Sequence, residues 1–308
     1  MKENKIWNDY LPEDMQEHWT VYECLKESED SSTFLVKETA TGILCVLKWG
    51  RNRQAEFLRN EMEIMKKMAD RKLSGIPKAY RIFEENGKVY LVREYIEGMS
   101  LAQMVLQKGG ISEAEIYRIS RKICQTAEQF QNPDEPMIHR DIKPENILIC
   151  DGICKITDFG LAKVASESTR TMSFKGYGTL QYIAPEAWKS EKNTIQMDIY
   201  SMGIVFYELA LLDYPYDITS NDVDAYRSAH MFSRIKRTND LKIVLGADVA
   251  SIILAMLEKP VQKRLKSWEE IEEKLGNPSL EANSALGNII SLAIGKKIET
   301  DTRIQQQI

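Results

Sequence analysis

The feature that most constrains this 308-residue chain is a pair of polar motifs separated by a short apolar hairpin. The first, 139–146, reads His-Arg-Asp-Ile-Lys-Pro-Glu-Asn, and the second is Asp158-Phe159-Gly160. Two apolar runs between them flank Asp151-Gly152, a strong signal for a tight β-hairpin. Asn146 enters this hairpin and Asp158 leaves it, so the sequence predicts that both side chains lie at its open end.

This arrangement suits a divalent cation. Amide and carboxylate oxygens are ligands that Mg²⁺ accepts, and Mg²⁺ in turn bridges nucleotide phosphates. The sequence therefore predicts that Asn146 and Asp158 share magnesium. An isolated His-Arg-Asp triplet would be read as a solvated loop, but the complete set at this spacing argues against that interpretation.

Together the motifs resemble the eukaryotic-type (Hanks-type) serine/threonine protein kinase family over roughly Trp19 to Leu275, and some details look bacterial. The resemblance implies an α+β, two-lobed protein kinase fold. A small lobe would hold an antiparallel β-sheet and one main helix, and a larger lobe would be mainly helical. ATP and Mg²⁺ are the implied cofactors, and protein serine or threonine hydroxyls the implied acceptors.

The resemblance also implies roles for single residues. Asp141 would orient the substrate hydroxyl and accept its proton, and Asn146 and Asp158 would hold Mg²⁺. Lys143 would lie near the γ-phosphate, in the serine/threonine pattern. Thr179 would bond the catalytic aspartate and lysine.

Three further positions match structural marks of the family. Ala184-Pro185-Glu186 would close the activation segment, and Asp198 would begin a buried helix and brace the catalytic loop. Arg264 would pair with Glu186, and a buried ion pair of this kind is structural rather than catalytic.

Lys48 and Glu61 form the expected pair in the small lobe. Lys48 closes the apolar motif 45–48 in the strand predicted over 43–49. It would contact the α- and β-phosphates, and the alternative is a solvated strand lysine. Glu61 falls on the apolar face of a helix predicted over 53–68, where an unpaired carboxylate would be costly. That face carries Phe57, Ile64, Met65 and Met68.

The phosphate-covering loop departs from the family pattern. It falls at about 26–33, where three glycines are expected and none is present. Ser28 and Ser31 are the predicted nucleotide contacts in it, among acidic side chains that repel phosphate. Two interpretations remain open: the loop is merely tolerant, or catalysis is slow and tuned by regulation.

The hinge is the second departure. The backbone groups of Glu94 and Ile96 would bond adenine, and Leu148 is also expected to contact the nucleotide. Arg93 occupies the back of the pocket, where an apolar residue is usual. It would pair with Glu61 or Asp158, or else extend outward along its stem.

Composition and length limit the wider setting. We predict an extension at 1–18, a small lobe at 19–97, a large lobe at 98–275 and a tail at 276–308 that could reach a regulatory partner. The net charge of −5 gives no reason to expect nucleic acid as a partner. Five scattered cysteines, no signal peptide and no long apolar run favour the cytoplasm and no membrane span.

Two alternatives to an active protein kinase remain open. A pseudokinase acting as a binding or allosteric module draws support only from the glycine-free loop. A small-molecule kinase is disfavoured by Thr179, Arg264 and the Ala-Pro-Glu segment. Thr171 and Ser173 resemble autophosphorylation sites, and the competing interpretation is an ordinary hydroxyl-rich loop.

Overall fold

The structure is a computed structural model, and it describes residues 11–71, 73–108, 113–130, 136–150, 153–164, 180–192 and 194–275. The chain divides into two compact units. The first unit contains Met1–Gly98 and Lys155–Ala162, and the second contains Met99–Cys154 and Lys163–Ile308.

The first unit is built on a five-stranded antiparallel sheet with strand order β1-β2-β3-β5-β4. Its elements are α1 (Glu13–Gln16), β1 (Trp19–Glu27), β2 (Ser31–Glu38), β3 (Leu44–Arg51), α2 (Arg53–Asp70), β4 (Ala79–Glu85) and β5 (Lys88–Glu94). The prediction of an antiparallel sheet with one main helix is confirmed. The helix predicted over 53–68 ends two residues later, and β4 was not predicted.

Two apolar clusters cover the sheet. One contains Leu11 and Met15 beside Trp19, Trp49 and other strand residues. The other joins residues of α2 to β5. Strand β3 is buried along its whole interior, which explains why its sequence is almost continuously apolar. Residues 11–16, placed in the predicted extension, therefore pack as part of the first unit.

The second unit is mainly helical, as predicted. Its elements are β6 (Met99–Ser100), α3 (Leu101–Lys108), α4 (Glu113–Glu128), β7 (Met137–Ile138), β8 (Ile147–Cys150), β9 (Ile153–Ile156, which ends in the first unit), β10 (Lys163–Val164), α5 (Pro185–Trp188), α6 (Ile195–Leu211), α7 (Val223–Phe232), α8 (Thr238–Met256) and α9 (Trp268–Leu275). Strand β6 pairs with β8, and β7 pairs with β10. In the part of the chain that is described, no helix combines the length and apolar character needed to cross a membrane.

Helix α6 lies at the centre of this unit, with most of its residues buried. Gly203 lets α8 approach closely, because a Cβ there would lie 3.0 Å from the Cβ of Met256. Gly246 has a φ of +75° and interrupts α8, so the element consists of two helical stretches.

A buried ion pair ties three segments of the second unit together. Arg264 Nη1 lies 2.6 Å from Glu186 Oε1, and Nη2 lies 3.0 Å from Oε2. The guanidinium also donates to the backbone carbonyls of Gln196 at 2.6 Å, Glu258 at 2.9 Å and Lys259 at 3.3 Å. The predicted pairing of Arg264 with Glu186 is therefore confirmed.

We expect Arg264→Met to lower the free energy of unfolding by about 3–5 kcal/mol, because it leaves the Glu186 carboxylate buried without its counter-ion. Urea denaturation followed by circular dichroism measures the change. Lys263→Met removes an exposed cation next to it and serves as the control. Equal urea midpoints for the two variants would contradict a stabilising contribution from the Arg264–Glu186 pair.

Candidate active site

Three residues of the first motif meet in the second unit. Lys143 Nζ lies 2.8 Å from Asp141 Oδ2, and Asn146 Nδ2 donates to the same oxygen at 3.0 Å. Asn146 Nδ2 also donates to the backbone carbonyl of Asp141 at 2.9 Å. Among the described residues, no donor reaches Asp141 Oδ1. Hydrogen bonds therefore fix Oδ2 of the Asp141 carboxylate, and Oδ1 can accept a hydrogen bond from another group.

Asp198, at the start of α6, braces this loop. Its carboxylate accepts the backbone N–H of His139 at 2.6 Å and that of Arg140 at 2.8 Å. Arg140 has a φ of +66°, a backbone conformation that needs such support. Burial raises the pKa of Asp198, while the two N–H groups and the charges of His139 and Arg140 oppose that rise. The bracing role implied by the resemblance is confirmed.

The predicted lysine–glutamate pair lies in the first unit. Lys48 Nζ is 2.9 Å from each carboxylate oxygen of Glu61, and both side chains are buried. Lys48 also contacts Asp158 Oδ1. The pairing of Lys48 with Glu61 is confirmed, whereas the nucleotide contacts of both residues remain a prediction.

The electrostatics around Asp158 favour its charged form. Burial by itself raises the pKa of Asp158, but the charges of Lys48 and Arg93 outweigh it and hold the pKa well below its usual range. Thr157 Oγ1 also donates to the carboxylate at 3.0 Å. Asp158 is therefore ionised across the physiological pH range and suited to a cation.

Asn60, the neighbour of Glu61 on α2, is a site residue that sequence reasoning missed. Its amide nitrogen reaches the carbonyl oxygens of Phe159 at 3.3 Å, Gly160 at 3.0 Å and Ala162 at 2.9 Å. Gly160 makes the approach possible, because a Cβ there would lie 3.0 Å from Phe57 Cβ. A mid-helix asparagine, which lowers helix propensity, was the available signal.

The hinge residues are tied by polar contacts. Lys155 Nζ holds the Glu94 carboxylate at 2.8 and 2.9 Å, and the Lys78 N–H donates to it at 2.9 Å. Arg93 is buried, and its Nη1 donates to the Glu94 carbonyl at 3.3 Å. Arg93 Nε lies 3.9 Å from Glu61 Oε1, so the structure favours pairing over an outward course.

The glycine-free loop is a short turn between β1 and β2. Ser28 Oγ lies 2.8 Å from Ser31 Oγ and donates to the Ser31 carbonyl at 2.9 Å. Arg51 Nε binds Asp30 Oδ1 at 2.7 Å, and Asn52 Nδ2 binds the same oxygen at 3.2 Å. At least one of the acidic side chains expected to face phosphate is therefore paired with an arginine.

For two further predicted nucleotide contacts the structure gives the location in the fold. Ile96 is buried and Leu148 lies in β8, opposite Ser100. Thr179, Thr171 and Ser173 lie outside the described residues, as do Asp151-Gly152 and the tail 276–308.

The shared magnesium site remains a prediction, because Asn146 and Asp158 belong to different units. Within the described segments, no three His, Cys, Asp or Glu side chains gather as a metal site.

A half-buried carboxylate, that of Glu208, lies on α6 of the second unit. Tyr182 donates its hydroxyl to Glu208 Oε2 at 2.7 Å. Burial, with smaller contributions from the charges of Glu145 and Asp213, raises the pKa of Glu208 to about 7, although the Tyr182 hydrogen bond opposes the rise. Glu208 therefore titrates near neutral pH.

Comparison with known proteins supports this reading of the motifs. A family model described as protein kinase domain matches residues 20–275. A probable serine/threonine-protein kinase of Clostridium acetobutylicum is 32% identical over 205 residues, which are 66% of this chain and 31% of the relative. The serine/threonine-protein kinase PrkC of Bacillus subtilis is 30% identical over 229 residues, 74% of this chain and 35% of the relative. An Aurora kinase of Debaryomyces hansenii is 30% identical over 246 residues, 79% of this chain and 55% of the relative.

The chain thus spans about a third of the length of these two bacterial relatives and just over half of the yeast relative.

We expect Asn60→Asp to lower the free energy of unfolding by about 1–3 kcal/mol, because a carboxylate cannot donate to the three carbonyls and is repelled by them. Thermal unfolding followed by circular dichroism measures the loss. Asn86→Asp makes the same chemical change at an exposed turn of the same unit. A loss no larger than that of this control would contradict the role of Asn60.

We expect Glu208→Gln to change how stability depends on pH. The pKa of Glu208 is raised from 4.5 to about 7 in the folded state, so the folded protein binds more protons than the unfolded chain between these values. Stability from this group is therefore present below about pH 4.5 and is lost as pH rises through about 7. The glutamine variant lacks this loss and should gain on the order of 3 kcal/mol relative to the wild type between pH 4.5 and 8.

Urea unfolding at a series of pH values tests this expectation. Glu273→Gln removes an exposed carboxylate from the same unit and provides the comparison. A stability difference between wild type and Glu208→Gln that stays constant across the pH series would refute the raised pKa.

Proposed function

Because this chain belongs to the protein kinase domain family, we propose that it is a serine/threonine protein kinase, which transfers the γ-phosphate of ATP to protein hydroxyls. The observation that carries the proposal is the Asp141 carboxylate, held on one oxygen by Lys143 and Asn146. The family supplies the reaction class, and the names of the relatives supply the serine/threonine preference.

We propose that Asp141 acts as the base. Lys143 and Asn146 hold Oδ2, so an incoming serine or threonine hydroxyl can donate to Oδ1 and be aligned for attack. As the hydroxyl oxygen bonds to the γ-phosphorus, its proton passes to Asp141 and the bond to the β-phosphate oxygen breaks. Positioning and charge stabilisation supply most of the catalysis in such a transfer.

Lys143 and Lys48 supply positive charge. Lys143 is adjacent to the base and would stabilise the γ-phosphoryl oxygens during transfer. We propose that Lys48, kept in place by Glu61, binds the α- and β-phosphates. Ser28, Ser31, Glu94, Ile96 and Leu148 are the proposed further nucleotide contacts, and Thr179 is proposed to bond Asp141 and Lys143.

The donor set suits magnesium. Nearby positive charges keep the Asp158 carboxylate ionised. Asp158 would be one protein ligand of magnesium, and the carbonyl oxygen of the Asn146 amide would be the other. Magnesium bound there would neutralise phosphate charge and orient the triphosphate.

We also propose protein substrates and a cytoplasmic setting. All five cysteines are free thiols, which suits a reducing compartment. The division into lobes at 19–97 and 98–275 and a regulatory partner for the tail remain part of this proposal.

We expect Asp141→Asn to reduce phosphate transfer by roughly 10²–10⁴-fold, because the amide cannot accept the hydroxyl proton. Purified protein is incubated with labelled ATP, Mg²⁺ and a generic protein substrate, and the labelled phosphoserine and phosphothreonine are counted. Asp248→Asn, at an exposed position of the same unit, should retain wild-type activity.

Two results would overturn the proposal in different ways. No label above the Asp141→Asn background, and no thermal shift with ATP and Mg²⁺, would favour a pseudokinase. Label that appears only on small molecules would indicate a small-molecule kinase.

A further inference from the structure

A buried arginine with unused donors lies beside the hinge of the first unit. The Arg93 side chain is only 8% exposed, and its Nη1 donates to the backbone carbonyl of Glu94 at 3.3 Å. Its Nε is buried without a hydrogen-bond partner among the described residues and lies 3.9 Å from Glu61 Oε1. Because a guanidinium carries five N–H groups, most of them have no acceptor in the described part of the chain.

This arrangement is costly unless a ligand completes it. A buried polar group without a partner carries a desolvation penalty, and the penalty is larger when the group is charged. Buried polar groups in folded proteins nearly always have a partner. An exception of this kind therefore indicates a site for a ligand group that accepts hydrogen bonds.

The sheet register places Arg93 on the face that carries Lys48. In the antiparallel pair of β3 and β5, Arg93 lies opposite Val46, and Leu91 lies opposite Lys48. Because side chains alternate along a strand, residues two apart share a face, so Arg93 and Lys48 project from the same side of the sheet. Both side chains also approach Glu61. Arg93 is therefore on the side of the sheet where the nucleotide is proposed to bind.

The contact with Glu94 indicates which part of a nucleotide Arg93 would meet. The backbone carbonyl of Glu94 is a proposed hydrogen-bond partner of the base, and Arg93 Nη1 already lies on it. Lys155 Nζ, at 2.8 and 2.9 Å, and the Lys78 N–H, at 2.9 Å, bind the Glu94 carboxylate and hold this residue in place. A base at the hinge would therefore find a donor, the guanidinium, beside an acceptor, the carbonyl.

Guanine matches this pair of groups better than adenine does. Guanine carries two neighbouring acceptors, O6 and N7, which an arginine binds with two of its N–H groups. Its N1–H, next to O6, can donate to a carbonyl. Adenine has an amino donor in place of O6, so only its N7 accepts on that edge. An arginine at this point therefore favours the base that offers the second acceptor.

We propose that Arg93 is a specificity-determining residue that lets the nucleotide site accept GTP beside ATP as the phosphate donor. The inference rests on the proposed function, because it assumes that the base lies at the backbone groups of Glu94 and Ile96. O6 and N7 of guanine accept from the Arg93 guanidinium, and N1–H donates to the Glu94 carbonyl. The transfer step is the same as with ATP: the acceptor hydroxyl bonds to the γ-phosphorus, its proton passes to Asp141, and GDP leaves.

Isothermal titration with ADP and with GDP, each with Mg²⁺, tests the base preference. The wild type should bind GDP within about tenfold of ADP, a difference of at most about 1.4 kcal/mol. Arg93→Met keeps an unbranched stem and removes the guanidinium, so the ratio of GDP to ADP affinity should fall at least about tenfold. Arg59→Met removes an exposed arginine paired with Glu84 and should leave the ratio unchanged.

The ratio separates base recognition from a merely structural role. ADP and GDP carry the same phosphates, so any effect of Arg93→Met on phosphate binding cancels in it. A distorted pocket would weaken both diphosphates alike, and an unchanged ratio would overturn the proposal. If Arg93→Met does not fold, Arg93→Gln, which has a single amide in place of the guanidinium, takes its place, with a fall of at least about threefold expected.

Inosine diphosphate identifies the group that is recognised. It keeps O6, N7 and N1–H of guanine but lacks the 2-amino group. The wild type should therefore bind it within about threefold of GDP. A wild type that binds inosine diphosphate as weakly as Arg93→Met binds GDP would assign the preference to the 2-amino group and contradict the role of Arg93.

Phosphate transfer from GTP tests the donor role. Wild-type protein with γ-labelled GTP, Mg²⁺ and a generic protein substrate should label serine or threonine at a rate within about tenfold of that with ATP. Excess unlabelled ATP should suppress this label, because both nucleotides use one site, and Asp141→Asn should abolish it. Arg93→Met should lower the ratio of the GTP rate to the ATP rate.

The outcomes distinguish this inference from the proposed function. A wild type that binds ADP and transfers label from ATP, but neither binds GDP nor uses GTP, contradicts the inference alone. A wild type that binds neither diphosphate and transfers no label contradicts the proposed function and the inference together.

Discussion

The ammonium group of Lys48 is the interaction on which the first unit depends. It joins β3 and the following helix α2 to the segment 155–162, which lies about a hundred residues further along the chain. An ammonium with three acceptors holds all of them in one place, but a buried charge of this kind is stable only while its partners are present. Lys48 therefore helps to fix the position of α2 and, together with Arg93, lowers the pKa of Asp158.

The second unit uses the same principle in its irregular segments. Asp198 holds the catalytic loop by two backbone N–H groups, and Arg264 collects three backbone carbonyls beside Glu186. Burial lowers the pKa of His230 to about 3, so the imidazole ring is neutral. Its Nδ1 accepts a hydrogen bond from the Tyr200 hydroxyl at 2.9 Å, and its Nε2 donates to the backbone carbonyl of Leu180 at 3.1 Å. Where regular hydrogen bonding ends, buried side chains satisfy the backbone groups instead.

The sequence predicted the features that depend on neighbouring residues and on simple requirements of burial. Glu61 could be paired with Lys48 because an acid on an apolar helix face needs a cation. Strand β4 was missed because its seven residues are half exposed and show no clean alternation. Asn60 was missed because an amide can bond many partners, and here its partners are carbonyls about a hundred residues away. The segment 155–162 groups with the first unit although it is distant from it in sequence, and the boundaries of the predicted lobes stay a prediction.

The glycine-free turn shows how a missing motif can be offset by its surroundings. Glycines allow a loop to approach phosphate, but they add conformational entropy that binding must remove. Here the two serines bond each other across the turn, and Asp30 is held by Arg51 and Asn52 at the end of β3. The Arg51–Asp30 pair is exposed, so its stabilisation is modest, yet it places a cation beside the carboxylate that would otherwise repel phosphate. The turn is thus ordered by hydrogen bonds and an ion pair between side chains instead of being made adaptable by glycine.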